Sequence, residues 1–179
     1  MVSSLESYAQ QVVQFVRLHE AWAPPIVFVL AFAESLALLS LLVPAWAALV
    51  GIGALVMPGG VSLWRVLVAG AVGAALGDWL SYWIGLKLKY RVADVWPLSR
   101  HPDLIPRGEA FVRRWGVLGI VMGRFLGPLR ASVPLVAGIL AMPYGPFQLA
   151  NFASAFVWAG VLLTMGNVGS RLLSHLHWP

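Results

Sequence analysis

From Ala23 to Met57 the chain is almost wholly apolar, with Glu34 and Pro44 set inside the run. One helix that crosses a bilayer needs about 20 apolar residues, so the run is too long for a single crossing. Proline lacks an amide donor and restricts the residue before it, here Val43, so a helix ends near Pro44. Residues 23–57 therefore read as two half-helices that enter and leave by the same face, a re-entrant hairpin. A kinked, tilted span followed by an interfacial piece is the alternative arrangement.

Composition closes off the water-soluble option. Of 179 residues 60% are hydrophobic and 11% charged, and the mean hydropathy is +0.82, well outside the range of soluble domains. Nine Trp, eight Phe and four Tyr suit the boundary between headgroups and hydrocarbon. No cysteine is present, which removes disulfides and thiolate metal chemistry. The net charge of +5 does not point to nucleic acid, because the cations fall between apolar segments and form no stripe interleaved with aromatics.

The first 22 residues carry Leu5, Tyr8, Val12, Phe15 and Val16 at helical spacing, and read as an amphipathic helix at the interface or packed on the bundle. They lack a basic leader region and a small-residue cleavage site, so they are expected to stay in the mature protein. Pro58-Gly59-Gly60 makes a turn, and 63–86 has the length of a spanning helix, completing a first half over 23–86. Within it Gly73, Gly77, Ser81 and Gly85 recur every fourth residue, a smooth stripe for close helix packing.

Residues 87–114 hold seven of the twelve basic residues. By the positive-inside rule this is a cytoplasmic loop. Its prolines predict an irregular connector with a short helix running into Phe111. The second half, 115–179, repeats the first: a broken apolar run over 115–142, a Pro143-Tyr144-Gly145-Pro146 turn, a spanning helix over 147–168 and a C-terminal end. The predicted fold is thus an all-α polytopic membrane protein, with two opposed re-entrant helical hairpins plus spanning helices in an inverted repeat and an N-terminal amphipathic helix. Matching broken segments in two halves are the pattern of transporters that bind cargo at mid-membrane.

Four charges lie inside apolar segments: Glu34, Asp78, Arg124 and Arg130. Each costs about 2.5–3.5 kcal/mol at the bilayer centre on insertion scales, so each needs a partner or a purpose. Glu34 is expected to approach one or both arginines where the hairpin tips meet, and Tyr82 is one turn from Asp78 as a hydrogen-bond partner. Buried ion pairs that only fix the fold are the plainer reading. Arg124 and Arg130 flank Gly127-Pro128, which places non-helical backbone between two fixed cations. Guanidinium groups take phosphate in a two-pronged geometry, so the expected ligand is phosphate, any apolar remainder of which would extend along the hairpins or into lipid.

These residues resemble the DedA family, whose members carry a VTT (SNARE-associated) domain. The resemblance rests on Glu34, on GAALGDWLSYWIG at 73–85 and on GRFLGPLRASVPLVAGILAMP at 123–143, and covers roughly Ala33 to Leu172. It implies two opposed re-entrant hairpins and translocation of phospholipids or undecaprenyl phosphate, in several members linked to the proton gradient. By that resemblance Arg124 and Arg130 bind the headgroup and Glu34 has a functional role. Many members place a second acid after a proline-glycine in the first hairpin, whereas this chain reads Pro44-Ala45-Trp46, which puts proton coupling in question.

The function expected is a flippase or scramblase for an anionic lipid in a cytoplasmic (inner) membrane. Arg124 and Arg130 bind the headgroup, Glu34 and Asp78 serve proton coupling or gating, and Tyr82, Pro44, Gly127 and Pro128 support them. The alternatives are a proton- or ion-coupled transporter of a small anion, a lipid-phosphate phosphatase and a structural membrane protein. Enzymatic chemistry is not expected: His19, His101, His175 and His177 fall in predicted loops or ends, and no G-x-S-x-G or H-E-x-x-H occurs. No cofactor and no metal are expected. The partners are membrane lipids and protons, and the small-residue stripes are compatible with a homo-oligomer.

Overall fold

A computed structural model describes residues 20–37, 39, 46–56, 62–96, 98–126 and 129–176. The described residues form helices and turns with no strand among them. The helices are α1 (Ala23–Ser35), α2 (Trp46–Val56), α3 (Leu63–Leu88), α4 (Leu104–Gly123), α5 (Leu129–Ile139) and α6 (Tyr144–Leu176). Leu63–Asp94 and Tyr144–Gly166 are long and apolar enough to cross a membrane. Of the expected amphipathic segment only Glu20–Trp22 is described, as a 3-10 turn. Pro44, Gly127 and Pro128 also lie outside the described residues.

The local sequence explains most helix ends. Pro24 and Pro25 open α1, where a missing amide donor is harmless. At its other end the Leu36 N–H bonds back to Phe32 and Ala33 carbonyls as the backbone turns extended. The stretch expected as an irregular connector is more ordered: 3-10 turns at Lys89–Asp94 and Leu98–Arg100 lead into α4, which starts at Leu104. Gly116, at φ 53° and ψ −129°, bends α4 into two pieces, a conformation that glycine adopts without the strain a Cβ brings. Pro134 sits inside α5. The helix continues through it, although the Arg130 carbonyl loses its usual amide partner there.

α3 is the axis on which the rest is arranged. α1 runs parallel to its first part: Gly70 faces Val27, Gly73 faces the Phe28 carbonyl, and Gly77 faces Phe32 and Ser35. α5 lies against the second part, with Gly85 facing Leu135 and Gly138 facing Tyr82 and Leu86. α6 runs antiparallel to α3, since Asn151 reaches Ala75 while Gly160 lies beside Leu67. α2 packs on the later part of α6 through Gly53, Leu163 and Gly166. The glycines at 73, 77 and 85 are therefore filled by contacts within one chain.

Two apolar clusters result. Val27, Ala31, Leu49, Val66, Ala71, Ala155 and Leu163 belong to one, and Val92, Ile105, Val112, Val133, Leu135 and Phe147 to the other. Polar side chains come together between them, midway along α3.

The glycine contacts give a direct test. A Cβ at Gly138 runs into the Tyr82 carbonyl oxygen and the Leu86 amide, which are backbone and have nowhere to move, whereas one at Gly160 meets only Leu67 Cδ1 at 3.8 Å. Gly138→Ala is expected to destabilise the fold by about 1–3 kcal/mol through overpacking. Gly160→Ala is expected to leave it unchanged or slightly firmer. Thermal midpoints in detergent micelles report both.

Candidate functional site

The polar layer is built from the ends or midpoints of five helices. α1 contributes Glu34 and Ser35 from its last turn. α3 contributes Asp78 and Ser81 from its middle. Arg124 follows the last residue of α4, Arg130 sits in the first turn of α5, and α6 contributes Asn151 and Ser154. All eight are buried, with exposures of 0–8%.

Arg124 is the more tightly held cation. Its Nη2 pairs with Asp78 Oδ2 and donates to Asn151 Oδ1 at 2.6 Å and the Asn151 carbonyl at 3.3 Å. Its Nε donates to Ser154 Oγ at 3.0 Å. Asn151 is itself fixed, because its Nδ2 donates to the Ala75 carbonyl at 2.9 Å and to Gln148 Oε1 at 3.1 Å. One guanidinium thus ties the end of α4 to both long helices.

Arg130 is held differently. Nη1 donates to Glu34 Oε1 at 3.1 Å and Nη2 to Ser35 Oγ at 3.0 Å, so both contacts come from the end of α1. The guanidinium carbon lies 4.1 Å from the centre of the Trp158 ring, a cation–π contact that the burial of both groups strengthens. Ser81 fixes the turn after α1: its Oγ accepts from the Ala37 amide at 3.0 Å and lies within hydrogen-bond distance of the Ser35 and Gly77 carbonyls.

Hydrogen bonding in the layer is incomplete among the described residues. Asp78 Oδ1, Arg124 Nη1 and Arg130 Nε are buried without a hydrogen-bond partner among the described residues. A buried polar atom left in this state normally costs about 1–3 kcal/mol. Three such atoms sit on three charged side chains of this layer.

Of the residues singled out in the sequence, Glu34, Asp78, Arg124 and Arg130 are brought together. Tyr82 is not part of the cluster. Its ring stacks on Phe147 with centroids 4.3 Å apart, which carries the hydroxyl to the Met142 carbonyl at 2.6 Å instead of to Asp78. Away from the layer, on the basic stretch, Glu109 accepts from Arg113 at 3.0 and 2.8 Å, and that bonding raises the Arg113 pKa. Sequence reasoning missed Ser35, Asn151, Ser154 and Trp158. The available signal was polarity within apolar segments, since Asn151 and Ser154 lie inside the expected span 147–168.

The comparisons with known proteins agree with a membrane setting. The VTT domain family model matches residues 43–168. The chain is 36% identical over 132 residues to the inner membrane protein YabI of Escherichia coli, covering 74% of this chain and 52% of YabI. It is 32% identical over 143 residues to the uncharacterized membrane protein BU139 of Buchnera aphidicola, covering 80% of this chain and 56% of that protein. The uncharacterized membrane protein Rv2637 of Mycobacterium tuberculosis is 36% identical over 96 residues, covering 51% and 44%. The chain therefore spans about half the length of the curated relatives it matches. No solved structure matches it.

Two guanidinium groups, each retaining a nitrogen without a partner among the described residues, are each countered by one carboxylate. The pairs are not equivalent: the Asp78 and Arg124 side chains are 4% and 1% exposed, those of Glu34 and Arg130 9% each. Removing one member of such a pair leaves a buried charge uncompensated, typically about 3–5 kcal/mol. Asp78→Ala is expected to lose stability in that range, and Asp78→Ala with Arg124→Ala less than the sum of the two changes. Glu34→Gln is expected to be milder, because Ser35 and Trp158 still hold Arg130. Unfolding in detergent measured across this double-mutant cycle reads out both expectations.

Proposed function

We propose that this chain, which belongs to the VTT domain family of DedA membrane proteins, carries anionic lipid headgroups across a cytoplasmic membrane. The observation that carries the reading is the pair of arginines buried beside the middle of α3, each retaining a guanidinium nitrogen without a partner among the described residues. Phosphate fits that chemistry, since guanidinium takes its oxygens in parallel hydrogen bonds.

The helix arrangement supports two opposed re-entrant hairpins. α1 follows α3 only from Gly70 to Ser81 and stops. α5 starts beside the end of α1, where Arg130 meets Glu34 and Ser35, and continues along the remainder of α3. Two short helices thus meet end to end at mid-membrane, as in an inverted repeat. Counted at 1.5 Å per residue, Asp78 is about 20 Å from Arg65 and about 14 Å from Lys87, which fits a hydrocarbon core of about 30 Å with the polar layer inside it. The basic stretch 87–114 then faces the cytoplasm.

In this reading the carboxylates occupy the anion's seat in the resting protein. A headgroup phosphate displaces Glu34 from Arg130, and the exchange keeps the guanidinium neutralised at every stage, which avoids the expense of a bare buried cation. Glu34 then requires another counter-charge, and a proton is the smallest available. Asp78 gates the deeper Arg124 in the same manner. The acyl chains remain in lipid along the apolar hairpins.

Liposomes holding labelled undecaprenyl phosphate, or labelled phospholipid in a parallel set, test this. Wild-type protein is expected to exchange label between leaflets. Arg124→Ala and Arg130→Ala, checked for folding by size exclusion, are expected to slow exchange about tenfold or more, the loss of a charge-assisted contact. Glu34→Gln is expected to retain exchange and lose its response to a proton gradient. Exchange no faster with protein than without it excludes the translocase reading, and uptake of tail-less phosphate in the same vesicles favours a small-anion transporter.

A further inference from the structure

A second feature of the molecule lies away from the polar layer. Between α1 and the first turns of α3 runs an open groove of about 470 Å³, lined by Pro24, Phe28, Trp64, Arg65, Val68 and Val72. The volume falls within the range of ligand-sized sites, about 300–1,000 Å³. Among the described residues that line it, Arg65 is the one that carries a charge. It is exposed and forms no hydrogen bond or ion pair with any described residue.

The position of the groove restricts what fills it. Arg65 is in the first turn of α3, about 20 Å along the helix from Asp78 and so at the hydrocarbon boundary. Trp64 beside it is 67% exposed and Trp22, just before α1, is 63% exposed, the rings expected at headgroup level. Inward from Arg65 the walls are apolar. Phe28 stacks on Phe32 with centroids 6.3 Å apart, extending the apolar surface of α1 towards Glu34. A cation at the headgroup level with an apolar trough below it is complementary to an amphiphile with one anionic end.

We infer that this groove is a binding site for a phospholipid of the leaflet opposite the basic stretch 87–114. Its phosphate pairs with Arg65 and one acyl chain lies along Phe28, Val68 and Val72. The assignment of leaflet rests on the topology proposed above, whereas the binding does not. A phosphate here restores to Arg65 the counter-charge it lacks among the described residues, and the acyl chain covers a seam that α1 and α3 leave open. The site shares α1 with the polar layer, so a lipid seated there contacts the helix whose far end holds Arg130.

Native mass spectrometry of the full chain with phosphatidylglycerol, and with diacylglycerol of the same acyl chains, tests the phosphate contact. Arg65→Gln is expected to weaken phosphatidylglycerol binding about tenfold, the loss of one charge-assisted contact, while diacylglycerol binding stays as in wild type. Phosphatidylglycerol with a photoreactive acyl chain is expected to label segments 24–28 and 64–72. Equal phosphatidylglycerol binding by Arg65→Gln, labelling elsewhere, or crosslinking of segment 64–72 to a second copy of the chain would each overturn the inference. Arg65 is exposed and makes no hydrogen bond or ion pair with a described residue, so the substitution is not expected to disturb folding. Binding lost in Arg65→Gln but no leaflet exchange by wild type would keep this site and remove the translocase reading. Exchange by wild type with binding unchanged in Arg65→Gln would do the reverse.

Discussion

Two guanidinium groups held out of water require neutralisation, and the interior of this protein is organised around meeting that requirement. Arg124 and Arg130 each have one carboxylate within bonding distance, and those carboxylates come from different helices. Without them either cation carries a desolvation penalty of several kcal/mol. The requirement fixes where the helices end. α1 must stop where Glu34 and Ser35 reach Arg130, and α4 must stop where Arg124 reaches Asp78. The two apolar clusters lie on either side of the layer that these contacts define.

Such a layer needs a rigid frame, and small residues supply it. In lipid there is little hydrophobic force between helices, so association depends on close contact and on interhelical hydrogen bonds. Gly73, Gly77 and Gly85 allow α1 and α5 to press against α3 at backbone distance. Ser81 belongs to the same stripe and does a different job, holding the turn after α1 through the Ala37 amide. The stripe therefore sets the height of Glu34 and Ser35 relative to Asp78 within a fraction of a helical turn.

What the sequence made legible was whatever depends on local pattern or on a charge in an apolar setting. The helix over 63–86 appears as Leu63–Leu88, and the four intramembrane charges meet. Tyr82 shows where pattern reasoning ends: its spacing from Asp78 allowed a bond, but the choice of partner was made by Phe147, which is 65 residues away in the chain. Asn151, Ser154 and Trp158 were hidden for a related reason. Their polarity was visible, while their target was set by how α6 crosses α3. The bend at Gly116 was equally unreadable, since a glycine inside an apolar run has many uses and only tertiary packing selects one.

The two ion pairs differ in what must move to break them. Arg124 is bonded to α3 through Asp78 and to α6 through Asn151 and Ser154, so releasing it means separating the two long helices. Among the described residues Arg130 is bonded to side chains at the end of α1, with the Trp158 ring behind it. A small shift of α1 along α3 removes both hydrogen bonds together and leaves the cation on the ring. A cation–π contact supplies attraction without consuming any of the five donors of the guanidinium. If the arginines exchange their internal anions in turn, geometry therefore favours Arg130 first, with Arg124 following only when the two long helices part.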